Sequence, residues 1–480
     1  MSWKRWLRSE ADTSADNEVK TEDAVAVDGD GRRTGDAPLA DIETMVPPQL
    51  DRPAFLDELW NQPLDAPSRT TLPRFTASAS DDIETSGTSE IVRRKLALRD
   101  TLGASQPVIN REVFAGRHDA MAQLITSIEQ NRVHVVIYGE RGIGKTSLAH
   151  VFAETAREAR YLVLYGSCGS DAQFSSMFRA FLARIPRLYH ASVLPNSPEA
   201  EQGDNFDSML PEDFGPRELA DVLAGVTGTR VLIILDEYDR VVDVEFRRDV
   251  AELIKNLSDR AARVQLVLTG VAQNLDELIG YAPSIRRNIV GLPMRPLTPA
   301  EVKALIALGE KAAELRYSDD ATKMITTMAG GSPYLARLLA HAAGLSALDE
   351  EARLVTAAHG RAAVERVLTD WNASLPRRVQ VNLAREEARA NWPLLIAAAR
   401  AGSSADGFFS ADDVITELGK NAVGGLANPA YVERELKQFS GPQDLLERSD
   451  VGGAVRFRFA YPGVSSLLLI SAALARLTND

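Results

Sequence analysis

From about residue 108 to residue 296, short β-branched apolar runs alternate with stretches of helical period. The runs are Val133 to Tyr138, Tyr161 to Tyr165, Val231 to Leu235, Val264 to Gly270 and Ile289 to Met294. Between them, apolar residues recur at i, i+3, i+4 and i+7, as in Met121, Leu124, Ile125 and Ile128, then Leu148, Val151, Phe152 and Thr155, then Val250, Leu253, Ile254 and Leu257. A run of five apolar residues such as Val231 to Leu235 predicts a strand buried on both faces of a parallel sheet. Strands alternating with helices predict a right-handed, parallel α/β layer structure.

From Leu297 the pattern reads as wholly helical. Thr298-Pro-Ala-Glu301 predicts a capping box with proline at the first helical position, and Gly330-Gly-Ser-Pro-Tyr334 breaks the chain before the next helix. Past residue 392 the pattern changes again: three short helices (393–401, 410–418 and 428–439), two strands around Gly452-Gly453 and a closing helix after Pro462 predict a winged helix. The domains expected are a disordered acidic tail over 1–105, an α/β core over 106–296, a helical lid over 297–368 and a winged-helix domain over 369–480. The segment from Pro186 to about Gly215 is polar and too long for an ordinary connector.

The tail is rich in Asp, Glu, Ser, Thr, Ala and Pro, but three stretches stand out in it. Trp3, Trp6 and Leu7 beside Lys4, Arg5 and Arg8 suit either a short interfacial contact or a free terminus. Phe55, Leu56, Leu59 and Trp60 form one apolar face, which fits a docking helix or packing on the protein's own surface. Ile91 to Leu102 predicts a basic helix leading into the folded part.

The chemistry concentrates at Gly139-Glu140-Arg141-Gly142-Ile143-Gly144-Lys145-Thr146-Ser147, which lies between a predicted strand and a predicted helix and matches Gly-x-x-x-x-Gly-Lys-Thr. Glycines let the backbone approach phosphates closely, so that successive N–H groups converge on the β-phosphate. Lys145 adds a point charge, Thr146 offers its hydroxyl to Mg²⁺, and the helix directs its positive end at the same anion. The run Val231 to Leu235 ends in Asp236 and Glu237, at the edge where ligands of open α/β sheets bind. Asp236 is placed to hold Mg²⁺ through water, and Glu237 to orient and polarise the attacking water. Thr269, at the end of a further strand, is either a polar contact to the γ-phosphate or a strand terminator.

Composition narrows the picture. The 480 residues carry a net charge of −13, much of it in the tail, which argues against a uniformly nucleic-acid-coating surface but leaves a local basic face open. One cysteine, Cys168, excludes an internal disulfide and a multi-cysteine metal site. No apolar run approaches the length of a transmembrane helix, so a cytoplasmic protein is expected.

Taken together, the loop, the Asp236-Glu237 strand end, Thr269 and the Gly-Ser-Pro break make the chain resemble AAA+ P-loop ATPases of the origin-recognition-complex-like and STAND groups. Phe114-x-Gly-Arg117 is similar to the entry motif of the first group, and Gly331-Ser-Pro333 to the lid motif by which STAND proteins meet nucleotide. The resemblance implies ATP with Mg²⁺ as ligand, Pro333 at the nucleotide, Arg286 or Arg287 as a finger acting on a neighbouring subunit, and Arg337 as a sensor on the lid. It also implies ATP hydrolysis coupled to a switch or assembly role, in which the tail or winged helix meets a protein partner and homo-oligomers form. A DNA-binding ATPase of the replication-initiation or transposition type is the alternative, resting on Arg434, Lys437, Arg456 and Arg458 in the winged helix.

Overall fold

The computed structural model describes residues 52, 54–61, 90–193, 204–272, 274–280, 285–402, 407–420, 428–441, 444–451 and 454–479. All belong to one compact unit over 45–480, and the Trp3 to Arg8 segment lies outside them. Its centre is a five-stranded parallel sheet of β1 (His134–Gly139), β2 (Leu162–Ser167), β3 (Val231–Asp236), β4 (Val264–Val271) and β5 (Ile289–Pro293), in the order β2-β3-β4-β1-β5. The apolar run of β3 is explained by its pleat. Val231, Ile233 and Leu235 enter a core on one face of the sheet, whereas Leu232 and Ile234 enter a second core on the other.

Helices α1 (Ala54–Asn61), α2 (Glu90–Leu102), α3 (His118–Glu129) and α4 (Lys145–Glu158) come early in the chain, and α3 and α4 cover the Leu232 face with Leu124, Ile128, Leu148 and Phe152. The other face is covered by α5 (Phe174–Leu182), α6 (Pro216–Ala224), α7 (Val244–Asp259) and α8 (Leu275–Ile279). Part of the long insertion after Pro186 joins this second core: Phe206 is fully buried, and the chain pairs with itself at Pro186 and Asn205.

After β5 come the lid helices α9 (Pro299–Ala313), α10 (Asp319–Ala329), α11 (Pro333–Asp349) and α12 (Ala357–Ser374). The capping box forms as the sequence predicts: the Thr298 N–H donates to Glu301 Oε2 at 2.7 Å and the Glu301 N–H to Thr298 Oγ1 at 3.3 Å. The region is not wholly helical, however. Arg316–Tyr317 and Leu354–Val355 form a two-residue parallel pair, β6 and β7, too short to leave a period in the sequence. The last lid helix also runs past residue 368, to Ser374.

The C-terminal region follows as α13 (Arg377–Ala384), α14 (Glu386–Ala390), α15 (Trp392–Ala401), α16 (Ala411–Lys420), α17 (Pro429–Gln438), the antiparallel hairpin β8 (Leu446–Val451) with β9 (Ala454–Phe459), and α18 (Pro462–Asn479). Three helices and a hairpin thus occur in the expected order. Lid and C-terminal region share one continuous apolar core.

Two stretches of the expected disordered tail are ordered helices in that core. The first, α2, belongs to the lid. Its Leu102 lies over Gly309 of α9, where a Cβ would come within 2.3 Å of Leu102 Cδ1, and Arg94 pairs with Glu314 at 2.8 Å. The second, α1, packs on the protein's own C-terminal region. Leu56 is fully buried, and the Trp60 indole donates to Asn372 Oδ1 at 2.8 Å and meets Trp392 edge-on at 6.2 Å. The Arg52 guanidinium lies 5.1 Å from the Trp60 ring and 5.8 Å from the Trp392 ring, donates to the Leu383 carbonyl at 2.9 Å and pairs with Asp57. Burying a guanidinium is unfavourable unless such partners surround it.

Truncating a buried Trp costs about 3–5 kcal/mol, more than an eight-residue helix with one apolar face can offset. Trp60→Ala is therefore expected to undock α1. Hydrogen exchange should show loss of protection in 54–61 and in α13 to α15, with the β-sheet unchanged; unaltered protection in 54–61 would refute the account of α1 docking.

Candidate functional site

The loop between β1 and α4 takes the conformation its glycines permit. Gly139, Gly142 and Gly144 have φ of 150°, 77° and 94°, a region that strains residues with a Cβ. Gly144 caps α4, so the helix starts at Lys145 and its first N–H groups face the loop. The Lys145 side chain is buried and folds over the loop, its ammonium donating to the carbonyls of Gly139 at 2.9 Å and Glu140 at 2.8 Å. Burial pushes this ammonium down to about 8, against the opposing pull of Asp239 and Asp236. An anionic oxygen replacing the two carbonyls would relieve that desolvation.

Asp236 is buried at the end of β3, next to Thr146 in space. Its Oδ1 accepts from the Glu237 N–H at 2.9 Å, from Thr146 at 3.4 Å and from Thr269. Its Oδ2 accepts from the Tyr165 hydroxyl at 2.5 Å. Thr269 is fully buried and spends its hydroxyl on Asp236. Glu237 differs sharply from its neighbour. Its backbone is left-handed (φ 53°), its side chain is 45% exposed, and its carboxylate accepts from Ser167 at 3.0 Å and pairs with Arg240 at 2.6 Å.

Lys145, Thr146, Asp236, Glu237 and Thr269 line one cavity of ≈ 590 Å³. The loop forms one wall and Asp236, Glu237, Asp239 and Thr269 another. Val108, Val113, Phe114, Leu297 and Leu305 give an apolar end suited to a flat ring, and Pro333, Tyr334 and Arg337 enter from the lid. Pro333 sits against the loop, its Cγ 3.6 Å from where a Cβ on Gly144 would lie. The donor set fits Mg²⁺ arriving with phosphates: two hard oxygens, from Thr146 and Asp236, lie 3.4 Å apart. Among the described residues there is no three-residue His, Cys, Asp or Glu cluster that would form a separate protein-only metal cage.

Not every expected residue meets the cavity. Arg286 pairs with Asp276 at 2.6 Å and Arg287 with Asp259 at 3.8 Å, both at the surface in the turn before β5. Arg337 reaches the cavity wall, but its guanidinium donates to the Gly103 carbonyl at 2.9 Å. Several contributors were not singled out as site residues from the sequence. Arg117 donates to the carbonyls of Ile143 at 3.0 Å and of Arg295. Val108 donates its N–H to the hydroxyl of Ser147, a loop residue already named from the sequence, at 3.1 Å. Tyr165 and Ser167 bond the two carboxylates from β2; the pairing of Ser167 with Asp236 across β2 and β3 brings them there, a register that one-dimensional pattern does not reveal.

Residues 113–269, from the entry turn to Thr269, match the family model of the AAA ATPase domain. The chain carries an AAA ATPase domain. Members of this family generally hydrolyse ATP, and the match implies ATP binding. Similar solved structures include RuvB, the Holliday junction branch migration motor of Thermotoga maritima (16% identity, 73% of this chain and 95% of that one, TM-score 0.38). Others are Cdc6p of Pyrobaculum aerophilum (14%, 79% and 98%, TM-score 0.41) and a Walker-type ATPase of Pyrococcus abyssi (14%, 76% and 98%, TM-score 0.43). A search of curated protein sequences finds no match. No described helix is long and apolar enough to cross a membrane.

Replacing Lys145 by Ala removes the ammonium that folds over the loop of the AAA ATPase domain. A hydrogen bond to a charged group contributes about 1.5–3 kcal/mol, so ATP should bind on the order of 10²-fold more weakly in a titration with a fluorescent nucleotide. Affinity equal to that of the wild type would remove Lys145 from the site.

Proposed function

We propose that this protein is a Mg²⁺-dependent ATPase that works as a nucleotide-controlled switch or assembly factor. The observation that carries the reading is the seating of the lid turn on the phosphate loop, Pro333 against Gly144, in a lid that shares its apolar core with the C-terminal region. A phosphate that shifts the loop therefore presses on the lid, and the lid cannot move far without the C-terminal region.

In this reading the loop N–H groups and Lys145 hold the phosphates, Thr146 and Asp236 hold the metal ion, and the apolar end of the cavity takes the base. Bound Mg²⁺ supplies charge neutralisation across the phosphates. Glu237 takes a proton from the attacking water, which requires its carboxylate to leave Arg240. Thr269 acts through Asp236. Arg286 and Arg287 face solvent and serve a neighbouring subunit, so ATP turnover belongs to a homo-oligomer. A protein partner meets the C-terminal region or the residues before 52.

The DNA-binding alternative has less support. Arg434 pairs with Glu435 at 2.8 Å, Lys437 with Glu433 at 2.7 Å and Arg458 with Glu447 at 2.6 Å. Counterion release requires a net basic face, and a carboxylate beside each of these cations leaves little net positive charge there. DNA stimulation of turnover that fades with salt would reverse this preference.

Glu237→Gln should keep ATP bound while turnover falls by roughly 10²–10⁴-fold; a parallel fall in binding would make Glu237 a structural or metal-holding residue. For assembly, an Arg286→Ala, Arg287→Ala double variant should bind ATP and fail to hydrolyse it. Mixing it with Lys145→Ala should restore some turnover, because one partner keeps the loop and the other the arginines. No recovery, with activity per subunit flat on dilution, would confine hydrolysis to a single chain.

A further inference from the structure

The Asp236 carboxylate is held from two sides, and only one of them faces the cavity. Oδ1 takes the contacts on the cavity wall, from Thr146, Thr269 and the Glu237 N–H. Oδ2 takes a single phenol from β2, the Tyr165 hydroxyl at 2.5 Å, and Tyr165 is not among the residues lining the cavity. Without that phenol only the Oδ1 contacts would restrain the carboxylate about its last torsion, which for Asp is broad and roughly two-fold.

Tyr165 is in turn fixed by His150. The two rings stack with centroids 4.3 Å apart and planes 14° from parallel. His150 stands four residues after Thr146 on α4, and so on the same helix face. One face of α4 thus carries both the hydroxyl beside Oδ1 and the ring that holds the partner of Oδ2.

We propose that Tyr165, buttressed by His150, is a positioning residue that fixes the Asp236 carboxylate for Mg²⁺ in the AAA ATPase domain. The inference rests on the Mg²⁺-ATP reading of the cavity. Two effects oppose each other. The phenol withdraws some charge from the carboxylate, which weakens it as a metal partner; it also fixes the orientation, which strengthens it. Orientation prevails, because each carboxylate oxygen has more than one lone pair and the phenol takes only one. Partners of this outer kind alter metal affinity by about 10- to 100-fold where the carboxylate is a direct ligand.

The test uses the full chain with Tyr165→Phe, which keeps the ring and its stack and deletes only the hydroxyl. Binding of a fluorescent ATP analogue is followed against Mg²⁺ concentration, and separately in EDTA. The half-saturating Mg²⁺ should rise about tenfold, the low end of the outer-partner range, with nucleotide affinity in EDTA and the melting temperature close to wild type. A second pair of variants guards against a folding artefact: His150→Phe keeps a stacking ring and should leave the Mg²⁺ requirement near wild type, while His150→Ala should raise it. An unchanged Mg²⁺ requirement in Tyr165→Phe overturns the proposal, and so does a lowered one, which would mean the phenol competes with the metal ion. If the wild type itself shows no Mg²⁺-dependent binding, it is the underlying reading of the cavity that falls.

Discussion

The buried guanidinium of Arg117 is the tie on which the site depends. A loop rich in glycine can wrap a phosphate because it has few side chains, and for the same reason it has few means of holding its own shape. Arg117 supplies that hold from outside, donating to the carbonyl of Ile143 inside the loop and to that of Arg295 where the chain leaves β5 for the lid. Gly116 and Arg117 are both left-handed (φ 72° and 65°), which turns the side chain inward at the start of α3. Burial lowers the affinity of this guanidinium for its proton, but arginine stays charged. Its removal would leave two carbonyls short of a donor, at about 1–3 kcal/mol each.

That tie also joins the loop to the chain that leaves the sheet for the lid. The sheet has its own two cores, one on each face, and the lid has a third that runs on into the C-terminal region. Connections between these bodies of apolar packing include polar ones: Arg117 to Arg295, the Leu297 N–H to the Gly331 carbonyl at 2.8 Å, and the Val108 N–H to Ser147 at 3.1 Å. Close-packed cores move as units, whereas hydrogen bonds can be exchanged for bonds to a ligand at little net change in free energy. The loop lies where these polar links meet.

What could be read from the sequence follows from where each feature's cause lies. The phosphate loop and the strand ending in Asp236-Glu237 were legible because their residue types answer to local requirements, a backbone without Cβ atoms and a strand buried on both faces. The capping box at Thr298 and Glu301 was legible for the same reason. Helices α1 and α2 stood out as apolar or basic stretches, with own-surface packing one reading of the first, but the partners that order them were not legible. Their order comes from partners far along the chain: Gly309 beneath Leu102, and Asn372 and Trp392 around Trp60. The contacts on Asp236 were missed on the same account. Tyr165 and Ser167 meet the two carboxylates only because β2 pairs with β3, and nothing in the spacing of residues 165 and 236 announces that pairing.

The ion pairs at Arg286 and Glu237 bear on the catalytic roles proposed for these residues only through their strength. Exposed pairs contribute about 0–1 kcal/mol, because water competes with each partner; the two here, 2.6 Å long and each partly in solvent, are of that class. An arginine that stabilises the transition state of phosphoryl transfer changes the rate on the order of 10³–10⁵-fold, which at about 1.4 kcal/mol per decade is roughly 4–7 kcal/mol. Releasing Arg286 from Asp276 therefore removes only a small part of what a finger returns. The same comparison applies to Glu237, where general-base catalysis of about 10²–10⁴-fold exceeds the loss of its pairing with Arg240. Under the proposed roles, surface pairs of this strength would hold each side chain in a defined place while leaving it free to act, with no opposing rearrangement of the core.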